Sequence, residues 1–193
     1  KVSPDVMIYG LAAQGYRSGG ANLVPNTDPQ NGQDLPVLYK PDHLWNYELG
    51  IKSTLLDRKL VFNAAVYYID WKGIQLMQQS PTYFYVDNSG DARSKGVEVQ
   101  ITANPVKPLE FGTALSYTDA KLKSVVPGTQ ATPGDRLPGW ARWNVYLYGQ
   151  YTHELSDDSS LSFRMDYSYI SKEYSTLQNL NNPDTLTYGD YGN

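Results

Sequence analysis

Two neighbouring stretches decide the fold, VEVQITAN at residues 97–104 and LEFGTALSYT at residues 109–118. In both, apolar and polar side chains alternate with a period of two, which predicts a β-strand with one apolar and one polar face. The segment Pro-Val-Lys-Pro at residues 105–108 lies between them. Two alternating runs joined by a short turn predict an antiparallel hairpin.

The same alternation recurs along most of the chain and predicts an all-β, antiparallel protein. Soluble strands usually have about five or six residues, whereas a tilted strand that crosses a bilayer needs ~9 to 11. Several of the predicted strands exceed ten residues, which favours membrane-spanning strands. We predict seven strands, at residues 6–17, 44–55, 60–78, 84–104, 109–121, 140–155 and 160–172.

The connections between the strands differ strongly in length. Three are tight and polar, at residues 56–59, 105–108 and 156–159, and they alternate with long segments rich in Gly, Pro, Asn and Asp. All tight turns therefore lie at one end of the predicted sheet. The long connections, at the other end, are predicted at residues 18–43, 122–139 and 172–193.

The two faces of the predicted strands also differ in composition. One carries Asn, Gln, Thr, Ser and Gly with scattered charges, and the other is apolar with aromatic rings near strand ends. Such rings form girdles at membrane–water interfaces, so the apolar face is predicted to meet lipid and the polar face to line a lumen. The girdle candidates are Tyr16, Trp45, Tyr67, Trp71, Tyr117, Trp140, Trp143, Tyr151, Tyr167 and Tyr169.

Composition excludes several classes of protein. The chain of 193 residues has no cysteine, 17 tyrosines and a formal net charge of −4. Without cysteine it has neither disulfides nor a zinc–thiolate site, and its slight acidity argues against nucleic-acid binding. The mean hydropathy of −0.50 is the average of a lipid face, a wet lumen face and polar loops.

No catalytic or metal-binding motif is recognisable. His153-Glu154 lacks the second histidine of a zincin, and residues 87–91 have the wrong spacing for a calcium loop. We therefore predict a protein that is not an enzyme and has no cofactor and no metal site.

Several segments, in the expected order, resemble the TonB-dependent outer-membrane receptors. They include YGLAAQGYRSGGAN at residues 9–22, LWNYELGIKS at 44–53, LVFNAAVYYID at 60–70 and NSGDARSKGVEV at 88–99. The Gly-Val-Glu pattern at residues 96–98 is the most distinctive of these features.

The resemblance implies a bacterial outer-membrane localisation and a 22-stranded barrel that encloses an N-terminal plug. It also implies uptake energised by the inner-membrane protein TonB, which grips a short N-terminal box. Residues 1–193 would be an incomplete barrel domain of about seven strands, without the plug, the box or the final strands. The implied partners are outer-membrane lipid, the protein's own plug, TonB and a small nutrient such as a ferric chelate, most of all a ferric siderophore.

Two sets of residues are candidates for the functional site. Residues predicted to face the lumen would hydrate it or hold the plug; they are Asn46, Glu48, Lys52, Asn63, Glu98, Gln100, Glu110, Arg142, Asn144, Gln150, Arg164 and Asp166. Residues near the long loops would contact an anionic, aromatic-bearing ligand by charge-assisted hydrogen bonds and ring stacking; they are Tyr16, Arg17, Tyr83, Tyr85, Arg93, Trp140 and Arg142.

Two other functions stay open on sequence alone. A passive porin or adhesin barrel would share the alternation but not the motifs. A soluble β-sandwich that binds carbohydrate would account for the many tyrosines and the negative hydropathy.

Overall fold

One antiparallel sheet dominates the structure, a computed structural model that describes residues 1–126, 131–174, 187–188 and 191–192. Its seven long strands have 12 to 17 residues each. The strands of the described chain are β1 (Val6–Arg17), β2 (Gly20–Ala21), β3 (Leu38–Tyr39), β4 (Asp42–Leu55), β5 (Leu60–Lys72), β6 (Gln75–Gln79), β7 (Phe84–Asn88), β8 (Gly90–Val106), β9 (Leu109–Val125), β10 (Trp143–Ser156), β11 (Ser159–Ile170), β12 (Glu173–Tyr174), β13 (Thr187–Tyr188) and β14 (Tyr191–Gly192).

The strand order in the sheet is β1-β4-β5-β8-β9-β10-β11-β14, so every long strand pairs with its neighbours in the sequence. The short strands form three separate pairs, β2–β3, β6–β7 and β12–β13. An all-β, antiparallel fold of seven long strands is thus confirmed.

The pairing register separates the two faces, because directly paired residues of neighbouring strands point to the same side. One row across the sheet contains Tyr9, Gly50, Ala65, Glu98, Ser116 and Asn144. The next row, one residue along, contains Ile8, Ile51, Ala64, Val99, Leu115, Val145 and Tyr169. The first row belongs to a polar face and the second to an apolar face.

The apolar face is largely uncovered. Leu49 is 58% exposed, Phe163 64% and Met165 67%. A water-soluble sheet would bury such side chains against a second layer, so this face requires an apolar solvent. In the described part of the chain, no helix has the length and apolar character needed to cross a membrane.

Two predicted strands, at residues 60–78 and 84–104, are each interrupted in the structure. Gly73 has a φ of +62°, a left-handed conformation that glycine adopts at little cost, and β5 ends just before it. The chain then forms the separate hairpin β6–β7 before β8 begins at Gly90. The sequence prediction was wrong there because the alternation continues across both breaks.

Two girdle candidates lie on the opposite face. Tyr67 pairs with Glu48, and Trp71 pairs with Leu44, which places both rings on the polar face. The Tyr67 hydroxyl is 2.9 Å from Thr118 Oγ1, and the Arg17 guanidinium lies 4.8 Å from the centre of the Trp71 ring. The prediction was wrong for these two because apolar residues occur on both faces of β5.

The small buried core lies at the end of the sheet with the long loops. Ile74, Ala92, Leu122 and Leu137 are at most 2% exposed and pack together. The opposite end carries the tight turns, including Leu56-Asp57-Arg58, where three successive residues have positive φ. Of the predicted long connections, parts of 122–139 and most of 172–193 lie outside the described residues.

Candidate functional site

The polar face forms a hollow of about 700 Å³. Its charged and amide side chains come from different strands, with Lys52 on β4, Asn63 on β5, Glu98 and Gln100 on β8 and Asn144 on β10. Among the described residues, no hydrogen bond or ion pair is recorded for the Glu98 carboxylate, which leaves it available to a group entering the hollow.

A tyrosine covers a glycine at one edge of this hollow. Tyr9 donates to Glu48 Oε1 at 2.6 Å, and the Lys52 ammonium lies 5.5 Å from the centre of the same ring. A Cβ added at Gly50 would lie 2.4 Å from Tyr9 Cζ. The ring therefore lies flat on the sheet, held by its hydroxyl and by the absence of a side chain beneath it.

A second cluster of this kind lies nearer the tight turns. Tyr148 donates to Glu110 Oε1 at 2.8 Å, and Asn104 Nδ2 donates to Oε2 of the same carboxylate at 3.2 Å. The Arg164 guanidinium stacks 3.9 Å from the centre of the Tyr148 ring, and that ring covers Gly112.

Arg164 links this cluster to β11. Its Nε donates to both carboxylate oxygens of Asp166, at 3.0 and 3.2 Å, and its Nη2 donates to the Tyr146 hydroxyl at 2.9 Å. Tyr146 in turn donates to Asp166. Arg164 is paired with Asp166, and the Glu110 carboxylate accepts from Tyr148 and Asn104, so hydrogen bonds fix this part of the wall and the second carboxylate leaves it with a net negative charge.

At the loop end, Asp28 joins the segment 18–41 to the hairpin β6–β7. Its carboxylate is 1% exposed and accepts from the Ser80 hydroxyl, from the Thr82 amide and hydroxyl at 3.0 Å each, and from the Gln30 amide at 2.8 Å. Burial acts to raise the pKa of Asp28, but the hydrogen bonds from Ser80, Gln30 and Thr82 outweigh it and hold the pKa below its usual range.

Two further joints tie the same loops together. Asp42, which is 1% exposed, accepts from Arg17 Nε and from the Gln75 amide at 3.0 Å each. Asn22 donates to the Val86 carbonyl at 2.8 Å and accepts from the Val86 amide at 2.9 Å. The loop 18–41 and the hairpin therefore form one braced unit, which we call the loop platform.

Comparison with known proteins identifies the architecture. The family model described as TonB dependent receptor-like, beta-barrel matches residues 1–193. The chain belongs to this family of bacterial outer-membrane receptors. The apolar face of the sheet is thus the lipid-facing outer surface, and the polar face is the inner wall of a TonB-dependent receptor barrel.

Curated relatives are longer than this receptor segment. The metal-pseudopaline receptor CntO of Pseudomonas aeruginosa is 25% identical over 153 residues, which is 78% of this chain and 19% of CntO. The pesticin receptor of Yersinia pestis is 30% identical over 99 residues, 51% of this chain and 14% of that receptor. The chain thus spans at most about a fifth of the length of these two relatives.

Solved structures share the fold of the segment. The ferric yersiniabactin uptake receptor FyuA of Yersinia pestis matches with a TM-score of 0.73 at 20% identity, over 99% of this chain and 27% of FyuA. BauA, the ferric preacinetobactin receptor of Acinetobacter baumannii, matches with a TM-score of 0.70 at 17% identity, over 100% and 26%.

The pairing register places eleven of the twelve residues expected in the lumen on the polar face, and Arg142 lies just before the paired part of β10. Of these, Lys52, Asn63, Glu98, Gln100 and Asn144 line the hollow. Glu48 and Glu110 accept hydrogen bonds from tyrosines, and Arg164 and Asp166 bind each other. The others are Asn46, which pairs with Ala13 and Ile69, and Gln150, which pairs with Arg164 and Glu110. Arg142 precedes β10, and its carbonyl accepts from the Thr118 amide.

The residues expected to contact substrate do not form one cluster. Tyr16 pairs with His43, and Arg93 pairs with Asp70 and Lys121, which puts both on the outer face. Arg17 lies on the inner face, where its guanidinium is already bound to Asp42.

The other expected contacts lie around the inner mouth and the loops. Tyr85 accepts from Gln33 Nε2 at 3.1 Å, and burial followed by the charge of Asp87 raises its pKa. Tyr83 closes the turn of the hairpin through its carbonyl, which accepts from the Ser80 amide. Trp140 is 43% exposed, and the Nε of Arg142 is buried without a partner among the described residues.

Sequence reasoning missed Asp28, Asp42 and Asn22, the three residues that brace the loop platform. Their long-range partners lie 25 to 64 positions away along the chain, so no local pattern connects them. The one available signal is that Asp and Asn favour turns by bonding nearby amides, as Asp28 does with Gln30.

Proposed function

We propose that this chain is the barrel segment of an outer-membrane receptor for the energised uptake of a scarce metal chelate, in the first place a ferric siderophore. The observation that supports this most is the family match over residues 1–193. It is supported further by neighbours whose descriptions name ferric yersiniabactin and ferric preacinetobactin as their ligands. Membership in this family decides against a soluble carbohydrate-binding sandwich.

In this proposal, the ligand is held between the loop platform and the inner mouth. Arg142, a half-buried residue just before β10, supplies the guanidinium. Trp140 and Tyr83 supply aromatic surface, and Tyr85 supplies a phenol whose pKa is raised by burial and by the charge of Asp87. A cation beside aromatic rings suits an anionic chelate with aromatic groups.

The proposal leaves Tyr16 and Arg93 out of the ligand site because the register places them on the outer face. Arg17 is assigned a bracing role, since a guanidinium paired with the buried Asp42 carboxylate has little left to offer a ligand.

The inner wall would hold the protein's own plug. The exposed Glu98 carboxylate, which has no hydrogen bond or ion pair to the described residues, faces the hollow. A plug inside the barrel would supply a partner for it, and TonB would act on that plug from the periplasm.

The test is uptake by whole cells. A strain lacking the complete receptor gene is expected to lose growth on one ferric chelate under iron limitation and to regain it with the gene restored. A protonophore is expected to abolish uptake of the radiolabelled chelate. Uptake that persists after the proton gradient collapses would refute energy coupling and support a passive porin instead.

A further inference from the structure

The inner wall near the tight turns is closed by bonds among its own side chains. Glu110 lies one residue after the start of β9 and pairs with Gln150 of β10, which pairs with Arg164 of β11. This part of the wall is therefore at the end of the sheet opposite the loop platform. We call it the lower wall, and it consists of Glu110, Tyr146, Tyr148, Arg164 and Asp166.

Both carboxylates of the lower wall accept from a tyrosine hydroxyl. Tyr148 donates to Glu110 Oε1 at 2.8 Å, and Tyr146 donates to Asp166. Asp166 also accepts from Arg164 Nε at 3.0 Å. The charged groups of the lower wall thus have partners within the wall itself.

The ring of Tyr148 also levels the wall. It lies directly opposite Gly112 in the pairing of β9 and β10, and it fills the place that a side chain at residue 112 would take. The Arg164 guanidinium lies 3.9 Å from the centre of the ring. A tyrosine has a single donor, and Tyr148 uses it on Glu110, so it has none left for a group in the lumen.

The wall is different at the height of Glu98. That carboxylate is exposed in the hollow and has no hydrogen bond or ion pair to the described residues. Glu98 pairs with Ser116 of β9, and Ser116 and Glu110 are about 20 Å apart along that strand. The inner wall thus has an open carboxylate at the hollow and closed ones nearer the tight turns.

We propose that the hydroxyls of Tyr146 and Tyr148 keep the lower wall from binding the plug, so that this end of the plug moves freely during uptake. This role rests on the proposed function, because it requires a plug in the barrel and energy applied to that plug from the periplasm. A carboxylate that already accepts from the wall gains little by exchanging one donor for another. A carboxylate without such a donor would bind the plug and would have to release it in every cycle of uptake.

The experiment removes the hydroxyl of Tyr148 and keeps its ring. In the complete receptor, Tyr148→Phe frees Glu110 Oε1 for a donor of the plug. Because one hydrogen bond to a charged group must then break in each cycle, uptake is expected to become about tenfold slower. Uptake is measured in whole cells with the radiolabelled ferric chelate that supports growth, and the Kd of that chelate at the cell surface is expected to stay unchanged.

A second measurement needs no chelate. Amide hydrogen exchange of the purified complete receptor, followed by mass spectrometry, reports how readily the plug opens. Tyr148→Phe is expected to slow this exchange in the plug about tenfold as well.

Two variants separate this role from a merely structural one. Glu110→Gln/Tyr148→Phe removes the charge that the phenylalanine leaves open, so uptake and plug exchange are expected to return to within a few-fold of the unaltered receptor. Tyr167→Phe removes a hydroxyl from the outer face, where Tyr167 pairs with Leu147 and is 47% exposed, and is expected to change neither. Retained compactness on unheated gels shows that each variant is folded.

Unchanged uptake and plug exchange in Tyr148→Phe would overturn the proposal, because Glu110 would then stay closed without the hydroxyl. Slow uptake that Glu110→Gln does not restore would also overturn it and would make Tyr148 a structural residue. An equal loss in Tyr167→Phe would have the same consequence. Uptake by the unaltered receptor that survives a protonophore contradicts the proposed function instead, and plug exchange in Tyr148→Phe still decides about the lower wall.

Discussion

Replacement of Gly112 by alanine tests whether the flat tyrosine rings are structural parts of the inner wall. A Cβ at this position would lie 2.0 Å from Cε1 and 2.4 Å from Cζ of Tyr148, well inside any permitted contact. The ring must then lift from the sheet. When it lifts, its hydroxyl leaves Glu110, to which it now donates at 2.8 Å.

The expected change in the free energy of unfolding combines two destabilising contributions and one stabilising contribution. Overpacking costs about 1–3 kcal/mol, and the lost hydrogen bond to a carboxylate costs about 1.5 kcal/mol at the low end of its range, some of which the first figure already includes. Replacement of glycine by alanine in a strand returns about 0.5–1 kcal/mol. We expect Gly112→Ala to lower the free energy of unfolding by about 1–2 kcal/mol in total.

The control is Gly15→Ala, a glycine of β1 that also lies on the inner face. There the added Cβ would lie 3.5 Å from the Leu44 side chain, an ordinary contact. This variant should leave stability unchanged or raise it by up to about 1 kcal/mol. Both variants of the complete receptor are compared by urea unfolding in lipid vesicles, followed by tryptophan fluorescence.

A double-mutant cycle decides whether the ring is the cause. If Tyr148 is first shortened to alanine, the space above residue 112 is empty, and Gly112→Ala should then cost nothing. An equal cost of Gly112→Ala with and without the Tyr148 ring would refute the argument, since the clash could not then be its source.

Three further outcomes are expected. Because the pKa of Asp28 is held below its usual range, its ionised carboxylate stabilises the loop platform above about pH 3.9. This stabilisation is lost as the pH falls through the lower pKa of the folded state. Asp28→Asn should remove it at neutral pH and raise the rate of amide hydrogen exchange around Thr82. Val99→Lys places a charge on the lipid face and should cost about 2–4 kcal/mol, whereas Gln100→Lys on the inner face should change unfolding by less than about 0.5 kcal/mol, as urea titration in vesicles would show. Arg142→Met should weaken binding of the cognate ferric chelate about tenfold, the loss of one charge-assisted hydrogen bond, in a fluorescence-quenching titration that leaves the fold unchanged.

The period of the side chains was enough to predict the sheet, because the outer face of the long strands is apolar and the inner face is polar. On β8, Val97, Val99 and Ile101 alternate with Glu98 and Gln100, so the register assigns each side chain without ambiguity. Where one strand is apolar on both sides, as β5 is at Tyr67 and Trp71, the same rule assigns the wrong face.

The breaks at the loop end could not be predicted because their causes are contacts between distant segments. Residues 75–79 continue the polar and apolar alternation of β5, yet they pair with β7 instead of with β8. The Asn22 side chain reaches Val86, and Asp28 reaches Ser80 and Thr82. Only the folded chain brings these groups together.

For the candidate ligand residues too, residue type alone did not predict the position in the fold. Arg93 and Arg142 look alike in sequence, each a lone arginine near a long loop. The pairing separates them, because Arg93 pairs with Asp70 on the lipid side, whereas the Arg142 carbonyl accepts from the amide of Thr118, a residue of the inner face. Residue type predicted anion binding at both positions, and the register keeps only Arg142 at the inner face, where the ligand site is proposed.

The abundance of tyrosine is explained by both faces together. On the outer face, Tyr47 and Tyr117 place amphipathic rings where the apolar rows give way to charged ones. On the inner face, Tyr9 and Tyr148 lie flat over glycines and bond carboxylates of the neighbouring strand. A phenylalanine would leave those carboxylates without their hydroxyl donor, and a lysine would give no flat surface, so an inner wall that must be both smooth and polar favours tyrosine.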